Sequence, residues 1–163
     1  MRQLAIIWHS MTGGSESLAQ AAYDSARQVD GVDVQILNAA DVEAEYMFGA
    51  DGYLFVFPEN LAAISGGMKS FFDRCYYPCL GALNGRPYAM IICAGSDGRN
   101  AVAQAERIAT GWRLRQIAPS SIVCTHAQTT EAILAPKTIY AAHLSAAAEM
   151  GEQIATGLQM GIY

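Results

Sequence analysis

Short apolar segments alternate along the chain with stretches of helical periodicity. Residues 4–8, 52–57 and 87–93 are almost unbroken apolar runs, which is typical of strands buried on both faces of a parallel sheet. Residues 32–37 alternate apolar and polar side chains and predict a strand nearer the sheet edge. Residues 117–124 predict a weaker fifth strand, irregular around Pro119.

Between these runs, small and apolar residues recur every three or four positions and predict helices. The helical stretches are 18–29, 68–76, 102–112 and 139–158, with one or two further turns possible within 41–48. Pro58 is predicted to end the second central strand, because proline has no N–H to donate to a ladder. Residues 125–137 are expected to be the least structured part of the chain.

Strands that alternate with helices in this way predict an α/β fold with a doubly wound, five-stranded parallel sheet. We find no repeat or linker, so we expect a single domain over residues 1–163. Ligands of such sheets bind beyond the carboxyl ends of the strands. The loops at 9–15, 58–67 and 94–100 should therefore share one edge, and their small residues suggest backbone brought close to a flat ligand.

Composition narrows the function classes. Hydrophobic residues make up 52% of the chain and charged residues 15%, which excludes disorder. A net charge of −5 argues against nucleic acid as a partner, and no segment is apolar over the length of a bilayer crossing. Four cysteines are too few for a disulfide scaffold here, so we expect a cytoplasmic protein with reduced thiols and no membrane partner.

The loop Ser10–Ser15 has the composition of an anion site. Its hydroxyls and its two glycines stand where a helix begins, and free N–H groups at a helix N-terminus bind anions. The loop contains no Lys or Arg and matches neither the Walker nor the dinucleotide pattern, which favours a singly phosphorylated ligand. The alternative is an ordinary strand-to-helix turn with Ser15 as its N-cap.

Three motifs in order resemble a known family. The sequence Ser10-Met11-Thr12-Gly13-Gly14-Ser15 before a helix is similar to the phosphate loop of flavodoxin-like proteins, especially their NAD(P)H:quinone oxidoreductase and NADPH-dependent FMN reductase branches. Residues 58–69, continued by 71–74, resemble the flavin-edge loop, and 93–98 resemble the remaining flavin loop. The resemblance covers most of the chain and weakens after about Pro119.

This resemblance implies a flavodoxin-like sheet of order 2-1-3-4-5 that binds FMN without a metal. It also implies NAD(P)H as co-substrate, a quinone or similar small molecule as electron acceptor, and a homo-oligomer, either a dimer or a tetramer. His126 is a possible proton donor to the acceptor. The implied FMN ligands are Ser10, Met11, Thr12, Gly13, Gly14, Ser15, Pro58, Glu59, Asn60, Leu61, Ala62, Ala63, Ala94, Gly95, Ser96, Asp97 and Gly98.

The chain departs from the family pattern in the loops expected to face the ring. Electron-carrying flavodoxins usually sandwich the isoalloxazine between aromatic side chains, and neither 58–66 nor 94–100 contains one. An uncovered ring face favours an FMN-dependent NAD(P)H oxidoreductase, with a flavodoxin-type electron carrier as the alternative. The quinone-reductase branch often has Arg and Phe where this chain has Asn60 and Leu61, so its substrate contacts do not carry over.

Two rival cysteine chemistries remain. Cys93 and Arg99 satisfy the Cys-x5-Arg pattern of a phosphatase loop, in which a thiolate attacks phosphorus and the guanidinium holds the phosphate oxygens. Asn100 replaces the usual Ser or Thr after the arginine, so this is the less favoured alternative. Cys75 and Cys79 lack the spacing and the nearby histidines of a metal site, and we expect buried thiols there.

Overall fold

The strands form one seven-stranded sheet in the computed structural model, which describes residues 1–163. The strands are β1 (Arg2–Trp8), β2 (Val32–Asn38), β3 (Gly52–Asn60), β4 (Ala63–Ile64), β5 (Pro87–Ala94), β6 (Arg115–Gln116) and β7 (Ser121–Cys124). The helices are α1 (Gly14–Ala26), α2 (Ala44–Gly49), α3 (Gly66–Tyr76), α4 (Arg99–Gly111), α5 (Thr130–Leu134) and α6 (Ala141–Gln159), with a 3-10 turn at Ala39–Asp41. None of the helices combines the length and hydropathy needed to cross a membrane.

The sheet order confirms the predicted doubly wound topology. Strands run β2-β1-β3-β5 in parallel, and both β6 and β7 pair with β5 at the far edge. The predicted fifth strand is therefore two short pieces, separated by the segment that contains Pro119. The other added strand, β4, pairs antiparallel with the end of β3 and was not predicted.

The prediction that Pro58 ends the central strand is wrong, because β3 continues to Asn60. The neighbouring strand β1 ends at Trp8, level with Val56, so beyond that point β3 has lost its partner on one side. A proline there leaves no ladder bond unmade on the vacated side. The carbonyl of Pro58 accepts a hydrogen bond from the N–H of Ser65 at 3.2 Å.

Two helices also end or begin at other residues than the periodicity predicts. Val29 follows the end of α1, and Ile139 precedes α6 although its side chain is buried. The stretch 125–137, predicted to be the least structured, contains the short helix α5. Its start is capped by Thr129, whose hydroxyl oxygen accepts from the N–H of Ala132 at 3.2 Å.

The two faces of the sheet bury separate cores. Alternate residues of the central strands point to opposite sides: Leu54 and Val56 pack with α1 and α6, whereas Phe55 and Phe57 pack with α3 and α4. The second core is rich in aromatic rings, with Trp112 fully buried against α3. Burial on both faces fixes the register of the strands, and so fixes where their carboxyl ends emerge.

Candidate functional site

The loops that follow β1, β3 and β5 meet at the carboxyl edge of the sheet and enclose a cavity of about 570 Å³. This volume lies within the range of pockets for cofactor-sized ligands. The cavity is lined by Ser10, Met11, Thr12, Gly14, Ser15, Pro58, Glu59, Asn60, Leu61, Ala62, Cys93, Ala94, Gly95, Ser96, Thr125, Ala127, Ile133, Leu134 and Lys137. All residues predicted from the three loops belong to this lining except Gly13, Ala63, Asp97 and Gly98.

The first loop turns directly into α1 through Gly13. This residue is the N-cap of the helix and has φ of +90°, a left-handed conformation that glycine adopts without strain. The hydroxyl of Ser10 accepts from the N–H of Gly13 at 2.9 Å and holds the turn. The N–H groups of Thr12, Gly14 and Ser15 have no acceptor within the protein, so three donors beside one helix N-terminus are free for a ligand.

Ser15 is not the N-cap that the alternative interpretation required. It is the second residue of α1, and its side chain is 1% exposed. Its Oγ is the single buried side-chain polar atom without a hydrogen-bond partner; the Cys93 thiol lies near it without completing a bond of good geometry. An unpaired buried hydroxyl costs free energy, and native proteins rarely keep one unless a ligand or water completes it.

The floor of the loop is too tight for any residue larger than glycine at position 14. A Cβ added there would lie 2.8 Å from the Sγ of Cys93 and 3.4 Å from the Cβ of Lys137. The first loop, the end of β5 and the segment before α6 therefore meet at this one point.

The second loop is a two-residue β-hairpin between β3 and β4. Asn60 pairs with Ala63, and Leu61 and Ala62 between them have φ of +50° and +58°. Positive φ at both central positions is the signature of a type I′ turn, which usually contains Asn and Gly. The Leu61 side chain at the hairpin tip is fully exposed, beside the mouth of the cavity.

Helix α4 holds this hairpin in place through two side chains one turn apart. The amide nitrogen of Asn100 donates to the carbonyl of Ala62, and the N–H of Ile64 donates to Oε1 of Gln104 at 3.0 Å. These bonds come from the helix that follows the third loop. They therefore couple two of the three loops that bound the cavity.

The third loop presents small residues to the cavity. Ala94, Gly95 and Ser96 line it, whereas Asp97 turns away and forms an exposed ion pair with Arg99 at 2.6 Å. Hydrogen bonding from Arg99 lowers the pKa of Asp97 below its usual value. Gly98 is the N-cap of α4 at φ of +87°, so it shapes the loop without lining the cavity.

The geometry argues against a phosphatase loop at Cys93 and Arg99. Burial raises the pKa of the Cys93 thiol to about 11, and the smaller lowering effects of Lys137 and Ser15 do not offset it. A protonated thiol is a poor nucleophile. Arg99 is paired with Asp97 outside the cavity lining, so no guanidinium faces the thiol.

The two cysteines considered as a metal or redox pair are buried, as predicted. Cys75 and Cys79 are both fully inaccessible, and burial raises the pKa of Cys75 to about 11. No three His, Cys, Asp or Glu side chains of residues 1–163 come together as a metal ion requires.

The histidines stand apart from the cavity lining. His126, predicted as a possible proton donor, is exposed at φ of +55°, and only its neighbours Thr125 and Ala127 face the cavity. His9 lies 2.9 Å from the hydroxyl of Ser65 through Nδ1, and partial burial lowers its pKa. His9 therefore joins the end of β1 to the start of α3.

Sequence reasoning missed the wall contributed by the segment after β7. Thr125, Ala127, Ile133, Leu134 and Lys137 line the cavity, and the N–H of Lys137 donates to the carbonyl of Thr12 at 2.7 Å. The sequence order could have predicted this wall. Residues 125–137 follow the strand next to β5, so they start at the same edge of the sheet as the three loops. Their weak periodicity gave no reason to fold them back over the first loop.

A doubly wound α/β fold with unpartnered N–H groups at a helix start and a cavity at the carboxyl edge of the sheet is typical of proteins that bind nucleotide-type cofactors. Residues 40–130 match the family described as NADPH-dependent FMN reductase. The chain belongs to this flavodoxin-like, FMN-binding family.

Individual proteins are similar to the chain in sequence or in fold. The chain is 29% identical over 108 residues to a flavodoxin from Aquifex aeolicus, across 63% of this chain and 56% of that protein. A flavodoxin, WrbA-like protein from Agrobacterium tumefaciens superposes with a TM-score of 0.73 at 12% identity, over 98% of this chain and 99% of that one. The flavodiiron protein from Giardia intestinalis gives 0.78 at 15% identity, over 98% of this chain and 37% of that one. The structural matches, at these identities, show the fold.

Proposed function

We propose that the chain is an FMN-dependent NAD(P)H oxidoreductase that passes electrons to a quinone or a similar small acceptor. The observation that carries FMN binding is the start of α1, where the unpartnered Oγ of Ser15 and three free N–H groups converge on one wall of the cavity. Family membership supports the choice of flavin over other phosphorylated ligands.

The first loop has the donors that a monoester phosphate needs. The N–H groups of Thr12, Gly14 and Ser15 and the hydroxyl of Ser15 would hold its oxygens, and the helix dipole adds a favourable field. Ser10 and Gly13 would serve by shaping the turn, since their mutual hydrogen bond is internal to the loop.

The second and third loops suit a flat ring. Ala62 on the hairpin and Ala94, Gly95 and Ser96 on the third loop let backbone approach closely, and Pro58 and Leu61 add apolar contact. Bound FMN would supply the redox chemistry that joins a nicotinamide to the acceptor. The protein residues bind and orient the ring and exclude water from part of it.

The lining also favours a reductase over an electron carrier. No Phe, Tyr or Trp lines the cavity, so a nicotinamide or a quinone has room to stack on the ring face. The second candidate function is a flavodoxin-type electron carrier, which the Aquifex aeolicus relative favours by its description. NAD(P)H as co-substrate and the quinone acceptor are part of this proposal.

We also propose a homo-oligomer, as the resemblance implies. Met11, Leu61, Ile133 and Leu134 are exposed apolar side chains that line the cavity, and contact with a second copy would remove them from water. Light scattering during size-exclusion chromatography tests this, and a monomer at all concentrations would contradict it.

The visible spectrum of the purified protein with added FMN tests the cofactor assignment. We expect a flavin spectrum that stays with the protein after desalting. Anaerobic addition of NADPH, and separately of NADH, should bleach the bound flavin within seconds, and a quinone should restore the colour. A colourless protein after FMN loading would refute the proposal, whereas FMN binding without rapid bleaching would favour the electron carrier.

A further inference from the structure

One lysine stands against the phosphate loop without belonging to it. Lys137 lies in the segment between α5 and α6, lines the cavity and is half-buried. Its backbone N–H donates to the carbonyl of Thr12, and its Cβ lies 3.4 Å from the position of a Cβ on Gly14. The residue is thus fixed to the start of α1 through its backbone.

The ammonium group of Lys137 has no acidic partner. It donates to the carbonyls of Ile133 and Ala135 at 2.8 and 2.6 Å, and it forms no salt bridge with any carboxylate. The chain has only one other lysine, Lys69, which is exposed on α3 and pairs with Asp73 at 2.6 Å. An ammonium has three N–H donors, so the two carbonyls leave one for a ligand.

The positive charge of Lys137 acts on Cys93, the residue that packs beneath the loop Ser10–Ser15. Burial is the main influence on the Cys93 thiol and raises its pKa, while Lys137 is the largest opposing influence. Cys93 also lies directly beneath Gly14 and near Ser15. The lysine therefore acts electrostatically on the same place where the unpaired donors of α1 converge.

We propose that Lys137 is a phosphate-binding residue that makes the cavity selective for phosphorylated over unphosphorylated flavin. The inference rests on the proposed FMN site and names the positive charge that the loop itself lacks. A monoester phosphate near neutral pH carries between one and two negative charges. A charge-assisted hydrogen bond from an ammonium is roughly twice as strong as a neutral one.

Removal of the charge should weaken FMN binding and leave riboflavin binding unchanged. Riboflavin has the same ring and side chain without the phosphate, so it reports on everything in the cavity except the charge contact. Titrations of flavin fluorescence with Lys137→Gln should raise the Kd for FMN by about tenfold or more. Lys137→Arg, which keeps the charge, should retain most of the affinity, and the matched control Lys69→Gln should bind FMN as the parent protein does.

Salt dependence gives a second, independent measure. The affinity of the parent protein for FMN should fall as KCl rises from 20 to 300 mM, because salt screens the contact. This fall should be smaller in Lys137→Gln than in Lys69→Gln. The dependence does not require measurable riboflavin binding.

The outcomes separate this inference from the function on which it rests. A parent protein that binds no FMN would overturn the proposed function. Normal FMN affinity and unchanged salt dependence in Lys137→Gln would overturn the role of the lysine alone. An equal loss of FMN and riboflavin binding would assign the Lys137 side chain a structural role through its bonds to the carbonyls of Ile133 and Ala135, which also contradicts the proposal.

Discussion

At the residue scale, Gly14 is the point where three segments meet, and its lack of a side chain is a packing requirement. In Gly14→Ala the new Cβ would meet Cys93 Sγ at 2.8 Å, and such overpacking costs about 1–3 kcal/mol of unfolding free energy. Urea unfolding should show this loss. Adding Cys93→Ala should restore a large part of it, because the sulfur is the nearest obstacle.

Gly13→Ala is the contrasting control for that double mutant. A Cβ at position 13 meets no atom within 4 Å, yet φ is +90°, so its cost comes from backbone strain. Cys93→Ala should not relieve that strain. If the Gly14 and Cys93 substitutions prove simply additive, the contact is not what excludes a side chain at position 14.

The raised pKa of Cys93 predicts a specific pH dependence. Because burial raises this pKa to about 11 from its ordinary value of 9.0, the folded state holds the thiol proton more tightly than the unfolded state. The stabilising contribution is complete below about pH 9 and is lost as pH rises through about 11. The free energy of unfolding should therefore fall less between pH 8 and pH 10.5 in Cys93→Ala than in the parent protein.

Thiol labelling checks the same property at a single pH. At pH 8, iodoacetamide should modify the half-exposed Cys124 and leave Cys93 intact until the protein is denatured. Rapid labelling of native Cys93 would show that its thiolate is accessible, contrary to the geometry.

At the residue scale, the sequence supports a site hypothesis where the chemistry is local in the chain. The hydroxyls and glycines of 10–15 predict an anion site, because a helix start supplies the donors, and binding of an anion there stays a prediction. Lys137 could not be found this way, since its approach to Thr12 depends on how the segment after β7 folds back. The unpaired state of Ser15 Oγ likewise becomes visible only when its surroundings are known.

At the element scale, the β3–β4 hairpin combines an unfavourable turn with external support. Two consecutive non-glycine residues at positive φ cost about 1–2 kcal/mol each, and the bonds from Asn100 and Gln104 offset part of that cost. Strain of this kind concentrates at functional sites. Leu61-Ala62 thus fits a cavity-lining role better than it fits a simple reversal of the chain.

Replacing Leu61-Ala62 by Asn-Gly should stabilise the protein and weaken FMN binding. The new pair is the preferred one for a type I′ turn. Relief of the left-handed strain should raise the unfolding free energy without flavin by about 1–2 kcal/mol, after the greater freedom of glycine in the unfolded chain is deducted. Loss of the Leu61 side chain at the cavity mouth should raise the Kd for FMN severalfold. Stabilisation without any loss of affinity would show that Leu61 does not contact the ligand.

Gln104→Ala tests the support from α4. The N–H of Ile64 would lose its acceptor, so its hydrogen exchange should accelerate while exchange in β5 stays slow. Gln20→Ala, on the exposed face of α1, is a control that removes a side-chain hydrogen bond without touching the hairpin. If the Ile64 N–H stays equally protected from hydrogen exchange in Gln104→Ala, the hairpin keeps its conformation without the bond from α4.

Elements were predictable where burial imposes a pattern. Strands β1, β3 and β5 are buried on both faces and read clearly as apolar runs, and the helices between them follow from periodicity. The β3–β4 hairpin could not be predicted from the sequence, because β4 has only two residues and because Pro58 suggested that β3 ends there. That proline is tolerated only because β1 stops at Trp8, which is a fact about the neighbouring strand.

At the scale of the whole molecule, the ligand edge is built from parts distant in sequence, so ligand binding should stabilise the fold as a unit. The cavity joins the start of α1, the β3–β4 hairpin, the end of β5 and the segment before α6, which span both cores of the sheet. A ligand that binds only the folded state at 100 times its Kd adds about 2.7 kcal/mol to the unfolding free energy.

For a chain of this size that gain corresponds to a Tm rise of about 5–11 °C, which circular dichroism at 222 nm can follow. FMN should produce this shift, and riboflavin at the same concentration should produce a smaller one if phosphate contacts contribute. Unfolding should remain a single transition, because the four segments belong to both cores rather than to a separable lobe. A Tm shift confined to a minor first transition would mean that the cavity edge unfolds independently. If saturating FMN caused no Tm shift, binding at this edge would be contradicted.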